Sequence, residues 1–116
     1  MALNKTKFKK LQSMFNDCSQ LFIVMGDVIR QKILLQLAEA GADGINVGEL
    51  TAKSSLSRPA ISHHLKVLKE CGLITSEKTG TQIFYKADYK RHLEKIGDFV
   101  TKALNFIDEV ENSPSS

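Results

Sequence analysis

Two cysteines in 116 residues, 53 positions apart, do not make the disulfide framework that staples small secreted domains. No apolar run is long enough to cross a bilayer. The lysines near the start are not followed by the continuous apolar stretch of a signal peptide, so a cytoplasmic location without membrane attachment is expected. The chain has no glycine-rich phosphate loop, no nucleophile elbow and no cluster of side chains at metal-ligand spacing. Paired acids such as Glu109 and Glu111 fall in a segment that reads as a solvated terminal helix. An enzyme is therefore not expected, and no cofactor is called for. Net charge is only +3, too little to name a partner by itself.

What is present is the composition of one ordinary globular domain with a modest core. Its charge is unevenly placed. Between Lys53 and Arg91 there are eight bases against three acids, whereas from Glu94 onward there are two bases against five acids. The basic excess coincides with the segment richest in local structural signals.

That segment is Leu56 to Gly72. Ser57 is a candidate N-cap, Pro59 sits in the first turn where no intrahelical donor is lost, and Gly72 closes the helix. Ile61, Leu65 and Leu68 fall at i, i+4 and i+7 and form one apolar stripe. Arg58, Pro59, Ser62, His63, Lys66 and Lys69 gather in a separate polar sector. One side can pack into a core while the other meets a polyanion, or is simply solvated. Arg58 lies near the start, where its planar fork can bond both acceptors of a guanine; Lys66 and Lys69 suit phosphates better.

A hairpin follows. Leu73 to Lys78 and Gln82 to Ala87 read as strands, the second rich in β-branched and aromatic residues. Thr79, Gly80 and Thr81 make the turn. The Leu56–Gly72 helix looks like the recognition helix of a helix-turn-helix; a hairpin directly after such a helix is a wing, and Lys78, Thr79, Gly80 and Thr81 at its tip suit contact with a phosphate or a minor groove. A plain solvent-exposed hairpin is the other reading.

Periodicity supplies the remaining elements. Phe8, Leu11, Phe15, Cys18, Phe22 and Met25 alternate threes and fours over a first helix of residues 5–25. Gly26 breaks it and Asp27 caps a second helix, Val28 to Ala40. A short extended segment near Ile45 and a short helix, Gly48 to Ser54, lead into the turn before Ser57. A last helix, Tyr89 to Val110, carries Leu93, Ile96, Val100, Ala103 or Leu104, Ile107 and Val110. The expected fold is mainly α with a small β-hairpin. It comprises residues 1–25 as an amino-terminal dimerisation helix, 27–87 as a winged helix-turn-helix core, 88–110 as a carboxy-terminal dimerisation helix and 111–116 as a flexible tail. The narrow stripes on the end helices either pack on the central domain or pair with a second copy. The second option makes Phe8, Leu11, Phe15, Cys18, Phe22, Leu93, Ile96, Val100, Leu104 and Ile107 a homodimer interface and favours a palindromic DNA operator.

From Leu21 to Lys90 the chain resembles the ArsR/SmtB family of bacterial transcriptional repressors. Met25 to Arg30, then Ile33, Leu34 and Leu37, is similar to the family's second-helix signature, with Val28-Ile29 in place of the usual Pro-Thr. Leu56-Ser57, Ile61 to Leu68 and Gly72-Leu73-Ile74 are similar to its recognition-helix signature, and Gly80 with Phe84-Tyr85 to its wing. The resemblance implies a winged-helix homodimer that represses by occupying double-stranded promoter DNA and, in many members, leaves it on binding a ligand or metal. The metal sites are not carried over. Where metal sensors hold Cys-Val-Cys this chain has Asn46, Val47 and Gly48, and on the last helix Asp88, His92, Glu94 and Asp98 include only one histidine. The effector stays unidentified.

Three further readings stay open. His64 diverges from His63 toward the buried flank, where a hydrogen-bonded structural role is expected. Cys18 and Cys71 are core fillers or, alternatively, redox switches, with Cys18 meeting its symmetry mate across a dimer axis. The whole chain is a DNA-binding repressor or a winged helix that docks an acidic protein partner.

Overall fold

The computed structural model describes residues 5–112, so the ends of the chain, including positions 113–116 of the expected tail, lie outside the described residues. The described residues form five α-helices: α1 (Lys5–Met25), α2 (Val28–Ala40), α3 (Val47–Ala52), α4 (Arg58–Glu70) and α5 (Lys90–Glu111). They share the chain with strands β1 (Ile45–Asn46), β2 (Ile74–Thr79) and β3 (Gln82–Ala87). A short 3-10 turn, Gly41–Asp43, joins α2 to β1.

The helix boundaries follow local chemistry. Asp27 caps α2 by accepting a 3.0 Å hydrogen bond from the Arg30 amide. Asn46 does the same for α3 through the Glu49 amide at 2.8 Å. Ser57 accepts from Ala60 at a longer 3.4 Å, and Pro59 occupies the first turn of α4. At the other end of α4 the Leu73 amide reaches back to Leu68 and the Gly72 amide to Lys69, both at 3.0 Å. This is the Schellman arrangement, and it requires a residue with positive φ, which Gly72 supplies at 81°.

The core is a single cluster drawn from every layer. Ile33, Leu34 and Leu37 of α2, Leu50 of α3, Ile61, Leu65 and Leu68 of α4, and Leu73 with Ile74 meet there, joined by Leu21 and Val24 of α1. All are almost wholly excluded from solvent. The expected hairpin supplies two strands of a three-stranded antiparallel sheet, order β1-β3-β2, with β3 in the middle and β1 as the added edge. Ile45 pairs with Tyr85 and Asn46 with Phe84. The extended segment expected near Ile45 is β1, but two residues carry too little alternation to name a partner strand.

The end helices pack on each other. α1 and α5 lie antiparallel against each other within one chain. Phe15 and Phe22 both meet Phe99, with ring centroids 4.8 and 5.9 Å apart, and Phe8 meets Phe106 at 5.9 Å. Cys18 is completely buried in this packing, its thiol turned toward the Lys95 carbonyl. Ile96 and Phe22 are half-buried in the same chain. Cys18, Phe22 and Ile96 are therefore spent largely inside the protomer, while Phe8, Phe15, Leu93, Val100, Leu104 and Ile107 stay about half exposed. Helical order also continues to Glu111, one residue into the expected tail.

The α2 cap makes a pH prediction. The Arg30 amide, with lesser help from the Arg30 and His64 charges, holds the Asp27 carboxyl below its ordinary range. A depressed native pKa contributes stability above the unfolded-state value, and that contribution is lost as the pH falls through the native one. The thermal midpoint should therefore drop on acidification below about pH 4, the ordinary aspartate value. Asp27→Asn, which keeps a capping oxygen but does not ionise, should show a smaller drop over the same range. Parallel curves for the two proteins would contradict the assignment.

Candidate nucleic-acid interface

The apolar stripe of α4 determines where its other side chains go. Ile61, Leu65 and Leu68 are at most 1 % exposed. Their burial turns Arg58, Pro59, Ser62, His63, Lys66 and Lys69 outward, and every one of these six is exposed. The helix starts with its N-terminal amides and Arg58 at one end of this face, and Lys69 supplies the base in its last turn.

The wing stands beside that face. β2 and β3 pair in register from Ile74 opposite Ala87 to Thr79 opposite Gln82, leaving Gly80-Thr81 as a two-residue turn. Gly80 has φ of 63°, as a two-residue turn with glycine first demands. Lys78, Thr79, Gly80 and Thr81 are all exposed. Three polar contacts set the wing's placement. Lys69 Nζ donates to Ser76 Oγ at 2.6 Å, joining α4 to β2. Asn46 Nδ2 donates to Gln82 Oε1 at 3.0 Å, joining the start of α3 to β3. Lys86 pairs with Glu77 at 2.9 Å across the hairpin. The ammonium of Lys69 has three donors, so one bond to Ser76 leaves others directed at solvent.

Arg58 is closer to the wing than the linear sequence suggests. It lines a cleft of about 280 Å³ with Thr81, Gln82 and Tyr85 of the hairpin and Asn46 and Gly48 at the start of α3. Gln82 and Tyr85 are expected only as strand residues of the wing and Asn46 only in the segment before α3, none of them beside Arg58. No local pattern marks them, because only the β1–β3 pairing brings them to Arg58.

The histidines separate as their spacing requires. His63 faces solvent, while His64 turns toward Asp27 at the start of α2. The expected hydrogen bond of His64 is not made by Nδ1, which is buried and has no partner among the described residues. His92 is a connector: its Nε2 donates to the Gly72 carbonyl at 3.0 Å, and Tyr89 of the same segment donates its hydroxyl to the Leu34 carbonyl at 3.2 Å. α5 is thus tied at its start to both α4 and α2. No group of three or more potential metal ligands occurs among the described residues. No helix among them is long and apolar enough to cross a membrane.

Residues 27–76 match the family model described as "Bacterial regulatory protein, arsR family". The chain is 30 % identical over 96 residues to an uncharacterised HTH-type transcriptional regulator of Methanocaldococcus jannaschii, an alignment spanning 83 % of this chain and 97 % of that one. It is 31 % identical over 94 residues to the transcriptional repressor SdpR of Bacillus subtilis, spanning 81 % and 97 % respectively. Its fold is similar to the crystal structure of the transcriptional regulator HlyU from Vibrio vulnificus, with a TM-score of 0.65 and 28 % identity over 86 % of this chain and 96 % of that one.

The cysteine geometry leads to one expected result. Cys18 is enclosed between α1 and α5, and burial raises the pKa of the Cys71 thiol, which keeps it protonated and slow to react. Oxidised protein run on a non-reducing gel should show no disulfide-linked dimer. A covalent dimer lost in Cys18→Ser would restore the redox reading.

Proposed function

The chain belongs to the ArsR family of bacterial transcriptional regulators, and we propose that it represses transcription as a homodimer seated on a palindromic operator. The family is one of DNA-binding regulators, not enzymes. One observation carries the residue-level reading: the exposed sector of α4 and the wing tip hold cations and hydroxyls, while the opposite face of the same helix is wholly buried. A rod with a buried back and a basic front suits a major groove.

The roles divide by chemistry. Arg58 offers a planar pair of donors to a guanine edge. Ser62 and His63 reach bases or the adjoining phosphates. Lys66 and Lys69 anchor the backbone beside α4, and Lys78, Thr79, Gly80 and Thr81 anchor it under the wing, with Pro59 fixing the helix start. Two-fold symmetry presents two such faces to half-sites spaced about 34–36 Å apart, or a multiple of that distance. Phe8, Phe15, Leu93, Val100, Leu104 and Ile107 form the face that the second copy covers; the half exposure of six large apolar side chains on paired helices supports this. Repression follows from steric exclusion of polymerase. A protein-docking role for the basic face is the competing reading, and absence of binding to random duplex at low salt would favour it.

Arg58→Ala should cost about 1–3 kcal/mol on the operator and much less on random duplex. Lys66→Ala should weaken both alike and flatten the dependence of affinity on salt. Fluorescence anisotropy with both duplexes separates the two effects, and equal losses for the two variants would refute the division of labour.

Leu104→Glu should convert the dimer to monomer in sedimentation and reduce operator affinity far more than affinity for a single half-site. A Leu104→Glu protein that sediments as a dimer would rule out this face as the interface.

A further inference from the structure

The first turns of α1 carry a charge arrangement that the repressor reading does not use. Lys5, Lys7, Lys9 and Lys10 crowd the start of the helix, with no acid in its first turn. That end of a helix is already the positive pole of its dipole, so the cluster runs against the local electrostatic preference. Lys7 finds one counter-charge, Glu109 at the far end of α5. Lys10 and Lys102 have no ion-pair partner among the described residues.

These lysines rim a cleft of about 160 Å³ between the start of α1 and the end of α5. Leu11, Met14 and Phe106 supply its apolar lining, with Asn105 adding one neutral polar side chain. The three apolar side chains are half-buried. The volume is close to the ~150 Å³ that accepts a benzene ring in an apolar protein cavity. Three bases against one acid around that lining make a site with a positive rim and an apolar floor. Inorganic phosphate would leave the floor unused, and a neutral hydrocarbon would leave the rim unpaired.

Leu11, expected at the dimer interface from the sequence, is half-buried and lines this cleft instead, and the rest of the cleft stays clear of the proposed dimer face. On the α5 wheel, Lys102 and Glu109 lie opposite the sector of Leu93, Val100, Leu104 and Ile107. A second copy covering that apolar stripe leaves the cleft open. α5 runs from the cleft back to the Tyr89 and His92 bonds that hold α2 and the end of α4. α5 thus gives the cleft a continuous physical link to the end of the element that carries Arg58 and Lys66.

We propose that this cleft is an effector site for a small organic anion with an apolar body, such as a carboxylate on a single ring or a medium-length chain. The effector role rests on the repressor reading; the binding itself does not.

Calorimetric titration of the full chain with sodium octanoate tests the binding, with 1-octanol and inorganic phosphate as probes of each half of the site. A Lys10→Glu/Lys102→Glu variant serves as control, since both positions are exposed and the substitutions leave the core intact. Its thermal melt verifies folding. Saturable octanoate binding, at least tenfold tighter than either half-probe and at least tenfold weaker in the variant, is the expected result. Absence of saturable binding, equal binding by octanol or phosphate, or equal binding to the variant overturns the proposal. Anisotropy with promoter duplex then tests the effector role. At least fivefold weaker DNA binding by the octanoate-loaded protein supports it, and unchanged DNA binding overturns it. Failure of the ligand-free protein to bind any duplex would count against the repressor reading, while the titration still decides the cleft.

Discussion

Burial of Ile61, Leu65 and Leu68 beneath α4 is the constraint on which the surface of this protein depends. Three side chains at helical spacing fix the rotation of the helix about its axis, because turning it would expose them and bury the charges of Lys66 and Lys69. The outward sector is thus a consequence of the inward one. Leu50 of α3 and Leu73 at the entry to the sheet complete the socket, so the short helix before α4 and the hairpin after it are positioned by the same core.

The joints around α4 convert that rotation into a defined surface. Gly72 reverses the chain in a conformation closed to most residues, and its carbonyl then receives the His92 bond. A side chain at this position would also crowd His92, since a Cβ there comes within 3.2 Å of Nε2. One residue therefore ends the helix, turns the chain toward β2 and docks α5. On the opposite flank, Lys69 to Ser76 holds the wing close to the helix. The candidate interface is consequently a composite of two elements held by a few directional bonds over a shared apolar base.

The α1–α5 pair divides its apolar residues between two tasks. Phe22, Phe99, Phe106 and Cys18 close the antiparallel contact inside the protomer. Leu93, Val100, Leu104 and Ile107 are left on the outer side of α5. A single continuous stripe in the sequence thus serves both an intramolecular and an outward-facing surface, offset by part of a helical turn. The molecule is elongated, 66 Å by 25 Å by 20 Å, because this pair extends beyond the compact core.

Local chemistry was enough to read most helix limits, the caps at Asp27 and Ser57, the stop at Gly72, the hairpin and the polar sector of α4, but not the hairpin register: Thr79, expected in the turn, pairs with Gln82 and leaves Gly80-Thr81 alone between the strands. Each legible feature depends on residues a few positions apart, where backbone geometry and spacing leave few options. Contacts between distant segments were another matter. The pairing of β1 with β3, the approach of Asn46 and Gln82 to Arg58, the His92 bond and the enclosure of Cys18 all join residues far apart in the chain. A periodic stripe states that a helix has an apolar side without stating which surface covers it. That choice rests on the summed packing of the whole chain, which is why α1 found α5 of its own protomer and left Leu104 and Ile107 uncovered.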